Sequence, residues 1–366
     1  MITFQSVSKK FGDGTTAVDR LDLTVEEGEV CVLVGPSGCG KTTTLRMINR
    51  MIEATGGTIT VENKDITTID PPTLRRRIGY VIQNTGLFPH RTITANIGTV
   101  PKLLGWDRDR TGTRVRDLLE LTGLPAELAD RYPHQLSGGQ RQRVGVARAL
   151  AVDPPIMLMD EPFGAVDPIT RVRLQEEFLR LQREVRKTIV FVTHDIDEAI
   201  RMGDRIAIFR RGGVLAQYAT PTELLANPAD DFVADFLGAE RGLKRLALIP
   251  VSAVRPESGP VVRVGEDRER ALAIAKSHNS TWVLVVDEGG RLHGWQQASQ
   301  LPDTVATDGL RECVAVVGKD DSLRAALNAM ITSESGAAVR VTEDGRYEGI
   351  LTQGQVSGEL AARDAS

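Results

Sequence analysis

Three short apolar runs interrupt an otherwise mixed sequence: Val30-Cys31-Val32-Leu33-Val34, Ile156-Met157-Leu158-Met159 and Thr188-Ile189-Val190-Phe191-Val192-Thr193. Runs of this length without polar alternation predict strands buried on both faces of a sheet. Helix-compatible sequence follows, beginning at Lys41 in the first case, so the chain reads as alternating β/α and the fold class as α/β. Between the first two runs, Leu136-Ser137-Gly138-Gly139-Gln140-Arg141-Gln142-Arg143-Val144 reads as a helix start. Ser137 is a candidate N-cap, and the helix behind it is basic and amphipathic. Beyond residue 260 the pattern repeats at an offset of 55. Gly290-Arg291-Leu292-His293-Gly294 returns as Gly345-Arg346-Tyr347-Glu348-Gly349, Val283–Val286 as Ala338–Val341, and Ala271-Leu272 as Ala326-Leu327. Each unit reads as an amphipathic helix, a strand, a Gly turn and a second strand. In the second unit Leu323, Ala326, Leu327 and Met330 share one helical face.

The ends of the apolar runs carry polar groups suited to one chemistry. Residues 35–42, Gly-Pro-Ser-Gly-Cys-Gly-Lys-Thr, follow the first run and precede a helix. In that context backbone N–H groups of Gly35, Pro36-Ser37, Gly38, Cys39 and Gly40 surround a phosphate, although Pro36 itself has none to give. The helix dipole adds positive potential, Lys41 reaches β/γ oxygens, and the Thr42 hydroxyl can ligate Mg²⁺. Asp160-Glu161-Pro162 follows the second run: Asp160 fits a second-sphere acceptor for the ion, and Glu161 fits the polarisation of an attacking water. His194 follows the third run, the edge where sheets of this class place their sites. The glycine-rich helix start at Ser137 is a second anion-seeking end. Two such ends in one chain suggest that they come from different copies and close on the same nucleotide.

With 366 residues, 41% hydrophobic and 26% charged, the chain has room for two or three domains of soluble type. A net charge of −4 with interspersed signs gives no nucleic-acid-binding surface. No run approaches 18 apolar residues, and the N-terminus lacks a signal-peptide shape. Cys31, Cys39 and Cys313 form neither a disulfide framework nor a metal spacing. Cys39, inside the phosphate loop, is either a tolerated small residue or, at a helix N-terminus, a redox-sensitive thiol.

Taken together, residues 35–42, Gln83, Leu136–Gln140, Asp160-Glu161 and His194 resemble, in type and order, the nucleotide-binding subunit of an ATP-binding-cassette (ABC) transporter. The resemblance covers residues 1–238 and implies a P-loop domain with a mixed sheet core and a helical subdomain. It implies an ATPase with ATP and Mg²⁺ as cofactors, working as a head-to-tail homodimer. Each ATP then lies between one copy's phosphate loop, extending to Thr43, and the other copy's Ser137, Gly138, Gly139 and Gln140. Phe11 falls where the family stacks a ring on adenine, or is a strand-end core residue. Gln83 is implied to reach Mg²⁺ and the attacking water, while Thr85-Gly86-Leu87-Phe88 meets a transmembrane permease. The loop Gly164-Ala165-Val166-Asp167 keeps the family's Asp but lacks its commoner Ser, which leaves open how the two sites communicate.

Residues 239–260, with Arg241-Gly242-Leu243-Lys244-Arg245 and three prolines, read as a linker. Its basic stretch is either a solvated helix face or a membrane-surface contact. The repeats, 261–303 and 304–362, are similar to tandem cystathionine-β-synthase-type (CBS) modules, an α+β pair that often binds adenine nucleotides. Where nucleotide-binding modules carry a carboxylate, this chain has Thr352-Gln353-Gly354-Gln355 and Gln297-Ala298-Ser299-Gln300. That leaves an ionic-strength sensor, a cyclic-dinucleotide site or a structural dimerisation module. The tail, with Gly86-Leu87-Phe88-Pro89-His90 and residues 161–171, resembles the ATPase of quaternary-amine importers for glycine betaine, carnitine, choline or proline. Such a subunit sits on the cytoplasmic face of the membrane and meets an extracytoplasmic substrate-binding protein through the permease. The competing readings are an importer ATPase for another polar amino acid or an anion, and a soluble regulatory ABC protein.

Overall fold

The computed structural model describes residues 1–83, 86–164 and 166–364. They fall into two compact units, Met1–Leu237 and the chain from Gly238 onward. The first unit is built on a six-stranded sheet. Its order is Val214–Ala219, Arg205–Arg210, Val30–Val34, Thr188–Val192, Ile156–Asp160 and Ile78–Val81. All neighbours are parallel except the edge pair Val214–Ala219 and Arg205–Arg210. The three apolar runs are three adjacent inner strands and are buried throughout, which is why they show no polar alternation. The run ending at Thr193 gives up its last residue to the following turn.

A second, antiparallel sheet has the order Thr16–Val25, Ile2–Lys10, Gly56–Val61 and Lys64–Asp65. Leu21 and Leu23 from this sheet, Leu33 and Val190 from the first, and Leu45 and Ile48 from the helix Lys41–Ile48 share one core. The helical part of the unit packs Ile93–Ile97 and Arg108–Leu121 against Gly138–Ala149. The α/β expectation, with a mixed-sheet core and a helical portion, holds. No helix among the described residues is long and apolar enough to cross a membrane.

In the second unit the offset of 55 extends to hydrogen-bond register. The helix Arg268–Ser277 corresponds to Leu323–Thr332, and the strand Leu292–Gln297 to Tyr347–Leu351. A leading strand, too short to read from sequence, completes each sheet: Val261–Arg263 lies parallel to Trp282–Val286, and Val316-Val317 parallel to Ala338–Val341. Their first pairs, Val261 with Leu284 and Val316 with Val339, are themselves 55 apart. At the centre the exchange is reciprocal. The Leu292 N–H donates to the Gly345 carbonyl at 3.0 Å, and the Tyr347 N–H to the Gly290 carbonyl at 2.9 Å. The two repeats therefore face each other across a local twofold.

The segment expected as a linker is structured instead. Residues 241–248 form the helix Arg241–Leu248, and Leu246, Ile249, Val251 and Val254 join Leu323, Ala326, Met330 and Leu351 in the second repeat's core. Leu301 and Val305 close the first repeat's core in the same way. Each repeat is thus completed by the chain that precedes the other's helix, because three strands and one helix leave an open apolar face. Arg245 is buried in this arrangement, so the basic stretch is not wholly a solvated face.

Two equivalent glycines permit the crossing. A Cβ on Gly349, at φ +151°, would stand 2.6 Å from Pro256 Cβ and 2.8 Å from the Glu257 carbonyl. One on Gly294, at φ +159°, would stand 2.5 Å from the Arg311 carbonyl. Gly290, at φ +81°, has nothing within 4 Å. Gly290→Ala is therefore expected to cost roughly 1–2 kcal/mol from its backbone alone. Gly349→Ala should cost clearly more, because backbone must also move. Urea unfolding of the two variants tests the order.

Candidate active site

Four adjacent parallel strands deliver the polar groups to one sheet edge. The strand Val30–Val34 leads into residues 35–43, Thr188–Val192 into His194, Ile156–Asp160 into Glu161, and Ile78–Val81 into Gln83. Register keeps their ends level: Leu33 pairs with Val192, Val192 with Asp160, and Val81 with Met159.

The loop wraps the start of the helix Lys41–Ile48, with Ser37 and Gly38 exposed at its tip and Cys39 buried beneath. Gly40, at φ +97°, lies against the second sheet, where a Cβ would meet the Ala17 carbonyl at 2.0 Å. Only glycine fits there. The Lys41 ammonium, on a buried side chain, donates to the carbonyls of Gly35 at 2.6 Å and Pro36 at 3.1 Å. Burial pushes the Cys39 thiol up from its ordinary value, and the Lys41 charge offsets only part of this. That disfavours the redox-sensitive thiol, which needs the opposite shift. Thr43 is half-buried in the first helical turn.

The Thr42 hydroxyl donates to Asp160 Oδ1 at 3.0 Å. Burial raises the Asp160 carboxyl above its ordinary range; the Thr42 hydrogen bond and the cations of Arg46 and Lys41 oppose the shift, and Glu161 adds to it. Arg46 Nη2 lies 3.9 Å from Asp160 Oδ2. Sequence reasoning missed Arg46, although its place four residues after Thr42 puts both on one helical face. A hydroxyl paired with a carboxylate beside a glycine cradle fits a hard divalent cation bound together with phosphate.

Glu161 has a left-handed backbone, φ +45°, and its N–H donates to the Val192 carbonyl at 3.0 Å. Its carboxylate is held at both oxygens. The Gln83 amide donates to Oε2 at 3.0 Å, and His194 Nδ1 lies 3.3 Å from Oε1. A carboxylate fixed in this way can accept a proton, or a hydrogen bond from water, at a defined place.

Ser137 caps the helix Gly138–Ala149. Its hydroxyl accepts from the Gln140 N–H at 3.2 Å, and the Ser137 N–H donates to Gln140 Oε1 at 2.9 Å. The cap leaves the N–H groups of Gly138 and Gly139 without intrahelical acceptors. Among the described residues no hydrogen bond joins this helix end to the phosphate loop. Phe11 follows the strand Ile2–Lys10, 39% exposed, with Lys9 Nζ 5.2 Å above its ring. It is not a core residue. Of the loop after Gln83, Thr85 lies outside the described residues, as does Ala165 of the loop 164–167. In the second unit Thr352 and Gln355 satisfy each other around a helix start, and Gln355 Nε2 donates to the Arg255 carbonyl at 3.0 Å.

The first unit matches the ABC transporter family over residues 18–164, and residues 310–362 match the CBS domain. The osmoprotectant import ATP-binding protein OsmV of Salmonella typhimurium is 44% identical over 99% of this chain and 97% of its own length. The chain belongs to the ABC transporter ATP-binding proteins. A second relative of this ABC ATPase is OpuCA of Bacillus subtilis, a glycine betaine/carnitine/choline transport ATP-binding protein. It is 44% identical over 96% of this chain and 94% of its own. Among solved structures, the dimeric bacterial ABC cassette MJ0796 superposes with a TM-score of 0.55 at 34% identity, covering 60% of this chain and 99% of that one. MJ0796 is also known in a dimeric post-hydrolysis state bound to ADP and Pi, at 32% identity.

Because burial raises the Asp160 pKa, its ionised form destabilises the fold. The associated stability is present below the ordinary carboxylate range and is lost as pH rises through the raised value. At pH 7.5, Asp160→Asn should therefore leave the nucleotide-free protein as stable or more stable, by up to a few degrees in Tm. The same variant should lose most of the added melting shift that Mg²⁺ gives over ATP alone. Differential scanning fluorimetry with ATP, with and without Mg²⁺, reads both effects.

Proposed function

We propose that this ABC ATPase energises an importer of osmoprotectant quaternary amines such as glycine betaine, carnitine and choline, with proline in the same solute class. The observation that carries the ATPase mechanism is the Glu161 carboxylate held between Gln83 and His194, beside the Thr42–Asp160 pair. In this reading Lys41 gives up the Gly35 and Pro36 carbonyls and donates to the β/γ oxygens of ATP. Thr42, Asp160 and Gln83 hold Mg²⁺, which when bound neutralises charge developing on the transferred phosphoryl group. Glu161 accepts a hydrogen bond from the attacking water, and Gln83 and His194 fix the carboxylate so that the water stands in line. Phe11, exposed just after the strand Ile2–Lys10, stacks on adenine.

The capped helix end at Ser137 serves the nucleotide of a second copy. Its bare Gly138 and Gly139 N–H groups can meet an anion there, which supports a head-to-tail homodimer. The permease docks in a groove of about 1480 Å³ lined by Phe88, Arg91, Thr99, Leu103 and Trp106. Arg148 of the helix Gly138–Ala149 donates to the Gly86 carbonyl at 2.7 Å, so that helix and the segment after Gln83 move together. A subunit built this way is peripheral to the membrane, on its cytoplasmic face. The solute class rests on relatives that match both units of the chain, tail included. The tail regulates, and the mutual pairing of Thr352 and Gln355 favours an ionic or structural signal over a ribose-bearing nucleotide.

Glu161→Gln is expected to keep ATP affinity within about threefold, to lose hydrolysis by about 10²-fold or more, and to accumulate as a dimer in ATP. Light scattering and a phosphate-release assay decide it. A variant that hydrolyses ATP normally overturns the assignment of Glu161. Uptake of labelled glycine betaine into proteoliposomes, with the permease and substrate-binding protein, tests the transport reading. Uptake dependent on internal ATP and rising with internal salt is the expected result. Absent uptake with intact ATPase activity points to another polar amino acid or an anion.

A further inference from the structure

One helix of the first unit touches the helix that follows Ser137, the segment after Glu161 and the segment after His194. Pro168–Val185 begins at Asp167, whose carboxylate caps it by accepting from the Thr170 N–H at 3.0 Å. On one side it meets the helix Gly138–Ala149. A Cβ on Gly139 would stand 3.2 Å from Thr170 Cγ2 and 3.7 Å from Leu174 Cδ1, and Arg143 Nη2 pairs with Glu177 Oε2 at 2.6 Å. Further along, the Phe178 ring meets Phe163, two residues after Glu161, with centroids 6.3 Å apart. Phe163 in turn packs on Phe191, three residues before His194, at 5.9 Å.

On another side the helix is tied to the segment after His194 by a buried polar bond. Gln175 Nε2 donates to Glu198 Oε1 at 2.8 Å, and the two residues are 4% and 8% exposed. Glu198 belongs to the short helix Ile196–Met202, whose cap Asp195 accepts from the N–H groups of Asp197 and Glu198. Burial pushes the Glu198 carboxyl up from its ordinary value, with Thr193, Gln175 and Arg171 opposing the shift and Asp195 adding to it. A buried carboxylate costs stability unless its hydrogen bonds are kept, and nothing in the hydrolytic chemistry requires one there. A Leu–Leu pair would serve packing equally well.

We propose that the Gln175–Glu198 bond is a positioning device that couples the two ATP sites of the dimer, a reading that rests on the head-to-tail arrangement above. His194 and Glu161 serve the nucleotide bound by their own copy, whereas Gly138 and Gly139 serve the nucleotide of the other. Helix Pro168–Val185 contacts the elements that carry both sets, through Glu198 and Phe163 on one side and through Gly139 and Arg143 on the other. A shift of the His194 segment on binding or losing the γ-phosphate is carried by Glu198 to Gln175, and by Leu174 and Thr170 to Gly139. The loop Gly164–Asp167 lacks the family's commoner Ser, so this internal bond supplies communication that does not run through that side chain. Gln175 and Glu198 touch no nucleotide; they position groups that do.

The test is the ATP dependence of steady-state hydrolysis by the full-length chain. Wild type should show a Hill coefficient of about 1.5–2 for two coupled sites. Gln175→Leu should lower it to about 1. Glu198→Gln, which keeps an acceptor for the Gln175 amide, should stay close to wild type. The double variant Gln175→Leu, Glu198→Leu removes both partners of this bond together, leaving the Thr193 hydroxyl without its Glu198 acceptor. It should be more stable than Gln175→Leu alone and turn over within about threefold at saturating ATP, yet keep a Hill coefficient of about 1. Wild-type cooperativity in the double variant would overturn the proposal, as would a wild type that hydrolyses ATP without cooperativity. A wild type that binds ATP and never hydrolyses it would instead overturn the ATPase reading itself.

Discussion

The structure depends on the level, parallel alignment of four strand ends. A parallel ladder fixes each strand to its neighbour by evenly spaced hydrogen bonds, so a one-residue slip would exchange every side chain between the two packed faces of the sheet. Because the strands are buried on both faces, slippage is not tolerated. The result is that four segments, from positions 34, 81, 160 and 193 onward, leave the sheet at one height. Loop, carboxylates, histidine and glutamine meet there without any of them having to seek the others. Helices behind the sheet hold that geometry, and the antiparallel sheet closes the far side of the phosphate loop through Ala17.

One of the left-handed non-glycine residues lies where chemistry is expected. Glu161 adopts a left-handed backbone that costs a branched or long side chain of order 1 kcal/mol. Its N–H bond to Val192 and the grip of Gln83 and His194 on its carboxylate hold it there. Asp160 is buried although burial disfavours its charge. Both are expenses of function, since a more stable sequence would place an amide at 160 and a glycine at 161. The opposite economy rules the second unit, where Gly294 and Gly349 are placed by symmetry so that two chain segments can cross.

Much of the fold and the site was legible in the sequence. Three of the inner strands announced themselves as unbroken apolar runs, and residues 35–42 carry their chemistry in their spacing. The repeat at offset 55 was visible because its turns need glycine at fixed places. Other features were not legible for definable reasons. The leading strands Val261–Arg263 and Val316-Val317 are too short to carry a period. Residues 239–260 look like a linker because their prolines and charges dominate locally, whereas their apolar residues pack against partners more than 60 residues away. Gln175 and Glu198 look like surface positions of two amphipathic helices.

The sequence by itself therefore determined element types, the phosphate-binding loop, the identity of the polar groups at the strand ends and the existence of an internal duplication. These follow from local rules: periodicity, capping, glycine conformations and residue spacing. Tertiary structure alone decided which groups meet. It set Glu161 between Gln83 and His194, buried Cys39 so that its thiol is pushed up from its ordinary value, completed each repeat with the other's leading segment, and joined Gln175 to Glu198. Those outcomes depend on burial and on contacts between residues far apart in the chain, and no local pattern encodes either.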